Sequence, residues 1–320
     1  MIAVVGAAAV DVVARRERFL AGTSNPSAIR WAPGGVGYRL WRRLPSPRLL
    51  LSAVGDDPAG RWLEQQVGAE ARRGRTRAGR GTAGRPRPAA RAGARLLRLP
   101  RLATACYSAF MESGRLLYGA ADMAVIERGL TLARLRPFLP ALGPDDLLVL
   151  EANLSPRLAG GLIGRCAHST RVVFEAVSVE KLLRHEPGLR NLYLLSMNRE
   201  EAEALRRRVA PGARGESWVA RFLRDRHIDH LLVPRGRHGA RLHTLGPGGR
   251  LRSVSFAPTR RVRAEDSTGA GDRLLAALLA RLARTETSGR GQPAGGAPLV
   301  ERVLPAAMRE VERALEEGTL

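Results

Sequence analysis

Lysine is almost absent from this sequence. Lys181 stands alone among 53 basic residues, and every other one is arginine. A selected polyanion-binding surface ordinarily mixes the two cations, so a nearly pure arginine excess argues against one. Aromatic residues are also scarce, at 4% of the chain. No Phe, Trp or Tyr lies between Trp62 and Tyr107. Single-strand nucleic-acid binders need aromatic platforms on which bases stack, and that stretch offers none. The two cysteines, Cys106 and Cys166, have no metal-ligand spacing and make no disulfide framework. They are expected to be buried thiols. No run approaches the roughly 20 apolar residues that span a bilayer. The sequence opens on Ile2-Ala3-Val4-Val5-Gly6, which reads as a strand and not as the charged and apolar regions of a signal peptide. A cytoplasmic protein without specific nucleic-acid or membrane partners is the expectation.

What is present is a large aliphatic supply. Of 320 residues, 44% are hydrophobic, enough for a sizeable α/β core. The net charge is +23, which predicts weak, salt-sensitive adhesion to polyanions from charge alone. Residues 71–101 concentrate eleven arginines with no acid, lack an apolar period and read as disordered.

Elsewhere short apolar runs alternate with helical patterns. Ile2–Gly6, Leu49–Val54, Leu147–Leu150, Val172–Phe174, Tyr193–Leu195 and Leu231–Val233 are predicted strands. Pro58–Val67, Arg199–Arg208, Trp218–Arg226 and Leu274–Arg284 are predicted helices. Over 300–317, Val300, Val303, Leu304, Ala307, Met308, Val311 and Leu315 recur at helical spacing and predict a core-packing helix. Residues 285–298 read as a loop. Such alternation implies βαβ units and a mostly parallel sheet, with ligands beyond the carboxyl ends of its strands.

The chemistry concentrates in Asp266-Ser267-Thr268-Gly269-Ala270-Gly271-Asp272, which runs into the apolar helix Leu274-Leu275-Ala276-Ala277-Leu278-Leu279. Small residues let backbone approach a ligand closely. A helix opening there points free N–H groups and a positive dipole end at an anion. An aspartate at its mouth can take a proton from a bound hydroxyl. Anion hole and general base together suit phosphoryl transfer to an alcohol.

This string resembles the carboxy-terminal motif of the PfkB, or ribokinase-like, carbohydrate kinases. The resemblance implies a single kinase domain over 1–320. The implied fold is a ribokinase-like three-layer α/β sandwich with a mostly parallel central sheet and a small β lid. It implies Asp272 as catalytic base, with Gly269, Ala270 and Gly271 as anion-hole amides. Asp266 and Thr268 would shape the loop near the nucleotide, beside a monovalent-cation (K⁺) site. Asn198-Arg199-Glu200-Glu201 resembles the family's Asn-x-x-Glu element, with Asn198 near the phosphates and Glu201 helping to place Mg²⁺. Taken alone, the tetrapeptide is a capped helix start. Gly236 and Gly239, in Val233-Pro234-Arg235-Gly236-Arg237-His238-Gly239, resemble the turn beside the nucleotide, and His238 reads as a solvent-facing turn residue. ATP and Mg²⁺ follow as implied cofactors. Lid strands would come from about 12–33 and 104–121, and in the family they often pair between subunits, which implies a homodimer.

The amino-terminal half resembles the family's pseudouridine kinase branch. The matching segments are Ser24-Asn25-Pro26-Ser27-Ala28-Ile29, Pro33-Gly34-Gly35-Val36-Gly37, Leu51–Asp57, Ala121-Asp122-Met123, Glu151–Ser155 and Phe174–Lys181. Asp11, Asn25, Gly34 and Gly35 are the implied acceptor-binding residues. One position departs from the family: Arg39 stands where an Asn ordinarily contacts the sugar. Arg is longer and charged. Back-translating Leu40-Trp41-Arg42-Arg43 and shifting the frame gives Val-Ala-Glu-Ala, so 38–48 and 71–101 read as including shifted-frame or mis-spliced text. Phosphorylation of pseudouridine is the leading functional expectation. Another sugar or nucleoside acceptor, a catalytically impaired binding protein on the kinase fold, and a polyanion-binding protein are the alternatives.

Overall fold

The computed structural model of the chain describes residues 1–78, 93–260, 269–287 and 297–317. In chain order the elements begin with β1 (Ile2–Val5), β2 (Ala9–Arg16), β3 (Ala28–Gly34), α1 (Val36–Arg43), β4 (Arg48–Gly55), α2 (Pro58–Ala78) and β5 (Gly93–Leu99). There follow β6 (Cys106–Glu112), β7 (Arg115–Asp122), α3 (Ala124–Glu127), α4 (Leu132–Leu135), β8 (Leu147–Glu151), α5 (Pro156–Cys166), β9 (Arg171–Glu175) and α6 (Val179–His185). The chain closes with β10 (Leu192–Ser196), α7 (Arg199–Val209), α8 (Ser217–Arg226), β11 (Ile228–Pro234), β12 (Ala240–Leu245), β13 (Leu251–Phe256), α9 (Ala270–Thr287) and α10 (Leu299–Glu316).

Nine strands form one sheet in the order β13-β12-β11-β10-β9-β8-β1-β4-β5. Pairing is parallel from β11 to β5 and antiparallel at the β12 and β13 edge. The strands β1, β4 and β8 are buried along their whole length, as strands covered on both faces must be. Side chains alternate between two cores. Ala3 and Val5 face α5 and α8 through Leu162, Phe222 and their neighbours. Ile2 and Val4 face α1, α2, α9 and α10 through Trp41, Leu63, Leu278 and Leu304. The mostly parallel ribokinase-like sandwich is therefore present, with helices on both faces.

A second, smaller sheet has the order β3-β2-β6-β7. All six predicted strands of the large sheet form, and so do the predicted helices.

Three expectations need correction. The segment 71–101 is not disordered throughout: α2 runs on to Ala78, and Gly93–Leu99 form edge strand β5, paired residue by residue with Leu49–Gly55. That strand has no apolar period of its own because an edge strand takes its order from the neighbour's hydrogen bonds. The part of the expectation covering 79–92 lies outside the described residues. The loop 285–298 starts later than expected, since α9 reaches Thr287. Cys106 and Cys166 are free thiols, as expected, but half-buried and not buried. Among the described residues no helix is long and apolar enough to cross a membrane.

Candidate active site

The carboxyl ends of β1, β8, β9 and β10 converge on one edge of the large sheet. Glu151 closes β8 and is fully buried; its carboxylate accepts the N–H groups of Ala7 at 2.6 Å and Asn153 at 2.8 Å. Gly6 follows β1 because a Cβ there would come within 2.7 Å of the Glu151 side chain. Burial raises the Glu151 pKa, and these N–H donors pull it partly back. Asn153 donates its amide to Glu151 and accepts the ammonium of Lys181, the chain's single lysine. Burial lowers the Lys181 pKa, and Glu151 opposes that shift. Glu175 closes β9 and bonds to the Ser196 side chain at the end of β10. Burial pushes its carboxyl well above the ordinary glutamate value, and the nearby Asp272 pushes it further.

Asp11 sits on β2 opposite Ala32 of β3 and Tyr107 of β6, so Tyr107 shares its face. A Cβ on Gly34 would lie 2.0 Å from the Asp11 carboxyl carbon, so no larger residue fits beside that carboxylate. Gly35 begins α1 with φ +84°, and a Cβ there would meet the Ala7 carbonyl at 2.5 Å. Its backbone N–H also donates to Asp11. Desolvation raises the Asp11 pKa above the ordinary aspartate value, and Arg39 opposes the rise.

Asp272 stands in the first turn of α9, three residues after Gly269, whose φ is +84°. The helix α1 packs on α9 and brings Arg39 to Asp272. Arg39 Nε donates to Asp272 Oδ2 at 2.6 Å, and Nη1 donates to Asp11 Oδ2 at 2.9 Å. Burial works against the guanidinium charge, but the two carboxylates outweigh it and raise the Arg39 pKa. One turn along α1, Arg43 donates to the Arg39 carbonyl at 3.0 Å. Burial, reinforced by the neighbouring Arg42 and Arg273 charges, lowers its pKa to about 10.

On the far side, Gly236–His238 form the turn between β11 and β12. Gly236 takes φ +55°, and Gly239 takes φ +82° with a notional Cβ only 1.9 Å from the Phe256 carbonyl. His238 is exposed, as expected of a turn residue. A cavity of about 400 Å³ opens there, lined by Arg235, Arg237, His238, Thr259 and Arg260. A helix N-terminus, a glycine turn and a basic cavity could hold a nucleotide's phosphates.

The structure thus brings Asp11, Gly34, Gly35, Gly269, Ala270, Gly271 and Asp272 to one place, around Arg39. It spends other candidates elsewhere. Asn25 accepts Arg16 Nη1 at 3.0 Å and Leu20 N–H at 2.8 Å and donates to the carbonyls of Leu20 and Thr23. Its amide orders the β2–β3 hairpin tip and does not face Asp11. Asn198 and Glu201 form a reciprocal capping box at the start of α7. Glu201 is 2% exposed, and its carboxylate accepts the Asn198 N–H at 2.7 Å. Among the described residues no group of three or more His, Cys, Asp and Glu side chains is placed to hold a metal ion. Asp266 and Thr268 lie outside the described residues, and with them the cation site assigned to that loop. Tyr107 was not singled out from sequence; Glu151, Asn153, Glu175 and Lys181 lie in segments that carry the family resemblance but were given no site role.

Residues 142–303 match the model of the pfkB family of carbohydrate kinases. The chain is 24% identical over 285 residues to pseudouridine kinase of Escherichia coli K12, covering 87% of this chain and 82% of that protein. Ribokinase from Thermotoga maritima superposes with TM-score 0.71 at 15% identity, covering 98% of this chain and 92% of that one. Aminoimidazole riboside kinase from Salmonella enterica, solved with aminoimidazole riboside and an ATP analogue, superposes with TM-score 0.66 at 18% identity, covering 98% and 93%.

Proposed function

The chain belongs to the pfkB family of carbohydrate kinases, and on that premise we propose that it transfers the γ-phosphoryl group of ATP to the 5′-hydroxyl of pseudouridine. The observation that carries the chemistry is the meeting of Asp11 and Asp272, from opposite ends of the sequence, at the mouth of α9. The choice of pseudouridine is supported by likeness to the Escherichia coli enzyme over most of both chains.

In the proposed reaction Asp11 holds ribose hydroxyls against the Gly34 and Gly35 backbone. Asp272 takes the proton as the acceptor's O–H bond breaks. The freed oxygen pair forms a bond to the γ-phosphorus, and the bond to the bridging oxygen breaks, leaving its electron pair on ADP. The amides of Gly269, Ala270 and Gly271 receive the charge on the transferring oxygens. Mg²⁺ enters with ATP as the donor substrate's counter-ion and offsets phosphate charge. The basic cavity beside Gly236 and Gly239 receives the nucleotide. Closure of the lid over the acceptor excludes water that would otherwise hydrolyse ATP.

The test is ATP- and Mg²⁺-dependent turnover across pseudouridine, uridine, adenosine and ribose. Pseudouridine is expected to lead, and Asp272→Asn to reduce turnover by roughly 10²–10⁴-fold. A different leading acceptor would reassign the substrate within the family, and undiminished turnover in Asp272→Asn would remove the base. A second reading, a ligand-binding protein without turnover, is favoured by one observation: the Arg39 guanidinium already holds the base. Pseudouridine binding without any product would establish it.

A further inference from the structure

The two carboxylates of the site share one guanidinium. With Nε on Asp272 at 2.6 Å and Nη1 on Asp11 at 2.9 Å, Arg39 lies between the two carboxylates that the proposed reaction uses. An acceptor alcohol must displace the guanidinium from the carboxylate oxygen that it already holds. In this arrangement Asp272 is masked.

Three features mark the arrangement as incomplete without a ligand. Asp11 Oδ1 is buried with no hydrogen-bond partner, so the acceptor side of the trio is unsatisfied. Arg39 has five N–H donors and spends two here; its remaining N–H groups have no partner among the described residues. Its side chain is 25% exposed against 11% for Asp272, so part of it still meets solvent. Arg39 meets Asp272 in the first turn of α9, where the N–H groups of Gly269–Gly271 would receive the phosphoryl charge in the proposed reaction. A phosphoryl group seated there would lie within reach of both the amides and the fork. Phosphate oxygens match a guanidinium's paired donors in planar geometry and carry more charge than one carboxylate.

We infer that Arg39 is a further catalytic residue: it masks Asp272 in the empty site and passes to the γ-phosphoryl oxygens when ATP binds. The move frees the base, opens the acceptor's path and leaves a cation on the group that accumulates charge during transfer. It also orders binding, nucleotide before acceptor. Asp11 Oδ1 then gains its partner from an acceptor hydroxyl. This inference rests on the kinase reading, so its test separates the two.

Titration calorimetry of the full chain with Mg²⁺ compares ADP with the β,γ-imido analogue of ATP, which adds the γ-phosphoryl group alone. The wild type is expected to bind the imido analogue roughly tenfold or more tighter, the scale of a charged hydrogen-bonded pair. Arg39→Asn is expected to lose that preference while keeping its ADP affinity, and to bind pseudouridine with no nucleotide present. Arg39→Lys, which keeps the charge without the fork, should retain part of the preference and serves where Arg39→Asn fails to fold. Turnover in Arg39→Asn should fall even as nucleotide-free acceptor binding appears, a combination that a purely structural arginine would not produce. An unchanged preference for the imido analogue in the folded variant overturns the inference. A rise in turnover does so too, because Arg39 would then be only a plug. A wild type that binds neither nucleotide overturns the kinase reading and this inference with it.

Discussion

At the scale of single residues, the site is built from groups whose ordinary chemistry is displaced by burial. Glu175 shows this most clearly. Its carboxyl is pushed well above the ordinary glutamate value by desolvation, then by Asp272, against the opposing Ser196 hydroxyl and Val177 N–H. The folded state therefore holds this proton more tightly than the unfolded chain does. That contribution to stability is complete below the ordinary glutamate value and is lost as pH rises through the raised one. Gln mimics the protonated acid, so Glu175→Gln should gain melting temperature over the wild type as pH goes from 5 to 8. Thermal unfolding at the two pH values checks it, and parallel curves would show that Glu175 is ionised throughout. Histidine obeys the opposite sign. Burial drives His230, which pairs with Thr244 at 3.0 Å, down to about 4, so it disfavours the folded state as pH falls from neutrality toward that value. None of this was legible in sequence, because desolvation is set by neighbours from other strands. What was legible at this scale were Asp11, Gly34, Gly35 and Asp272, and at Gly34 and Gly35 the small size has a steric reason in the fold.

At the scale of elements, α1 and the lid carry the site's individuality. The residues Val36–Arg43 fill one turn after another with buried Leu40 and Trp41 on the core side and Arg39 on the site side. The text there departs from the family pattern, yet it packs, with Leu40 and Trp41 fully buried and the Arg48 guanidinium 4.8 Å from the Trp41 ring. The family resemblance set Arg39 at a sugar-contacting position, but the partner carboxylate comes from α9, far along the chain. The smaller sheet leaves β7 exposed along its whole length. It also exposes Trp31 at 61% and Tyr118 at 69%. An apolar edge strand of this kind pairs or aggregates unless protected. The implied homodimer through the lid would cover it. Sedimentation of the wild type is expected to give a dimer, and Tyr118→Asp with Trp31→Asp a folded monomer; a monomeric wild type would remove the lid as an interface.

At the scale of the whole molecule, the net charge of +23 predicts adhesion to polyanions from charge alone. Many of the arginines pair locally, as Arg98 does with Glu64, Arg206 with Glu203 and Arg252 with Glu301. Retention on a heparin column is expected to fall log-linearly with salt and to vanish well below ~1 M, where the Debye length is about 3 Å. Pseudouridine binding in the lidded site should be nearly indifferent to the same change. Retention that survived high salt would point to a built polyanion site and against the charge-only reading.

The sequence by itself determined the alternation of strands and helices and the small residues Gly269-Ala270-Gly271 at the start of α9. These are local signals: period, turn chemistry and small residues, all readable within a few neighbours. Only the tertiary structure decided that Gly93–Leu99 is a strand, because an edge strand's order comes from its partner's backbone. It also decided that Asn25 and Glu201 are spent on local caps and turns, and that Glu175 stands with Asp272. Above all it decided that Arg39 bridges Asp11 and Asp272. The reason is physical: charge pairing and desolvation depend on distance in space, and the chain brings these residues together only when β2, α1 and α9 meet at the end of one sheet.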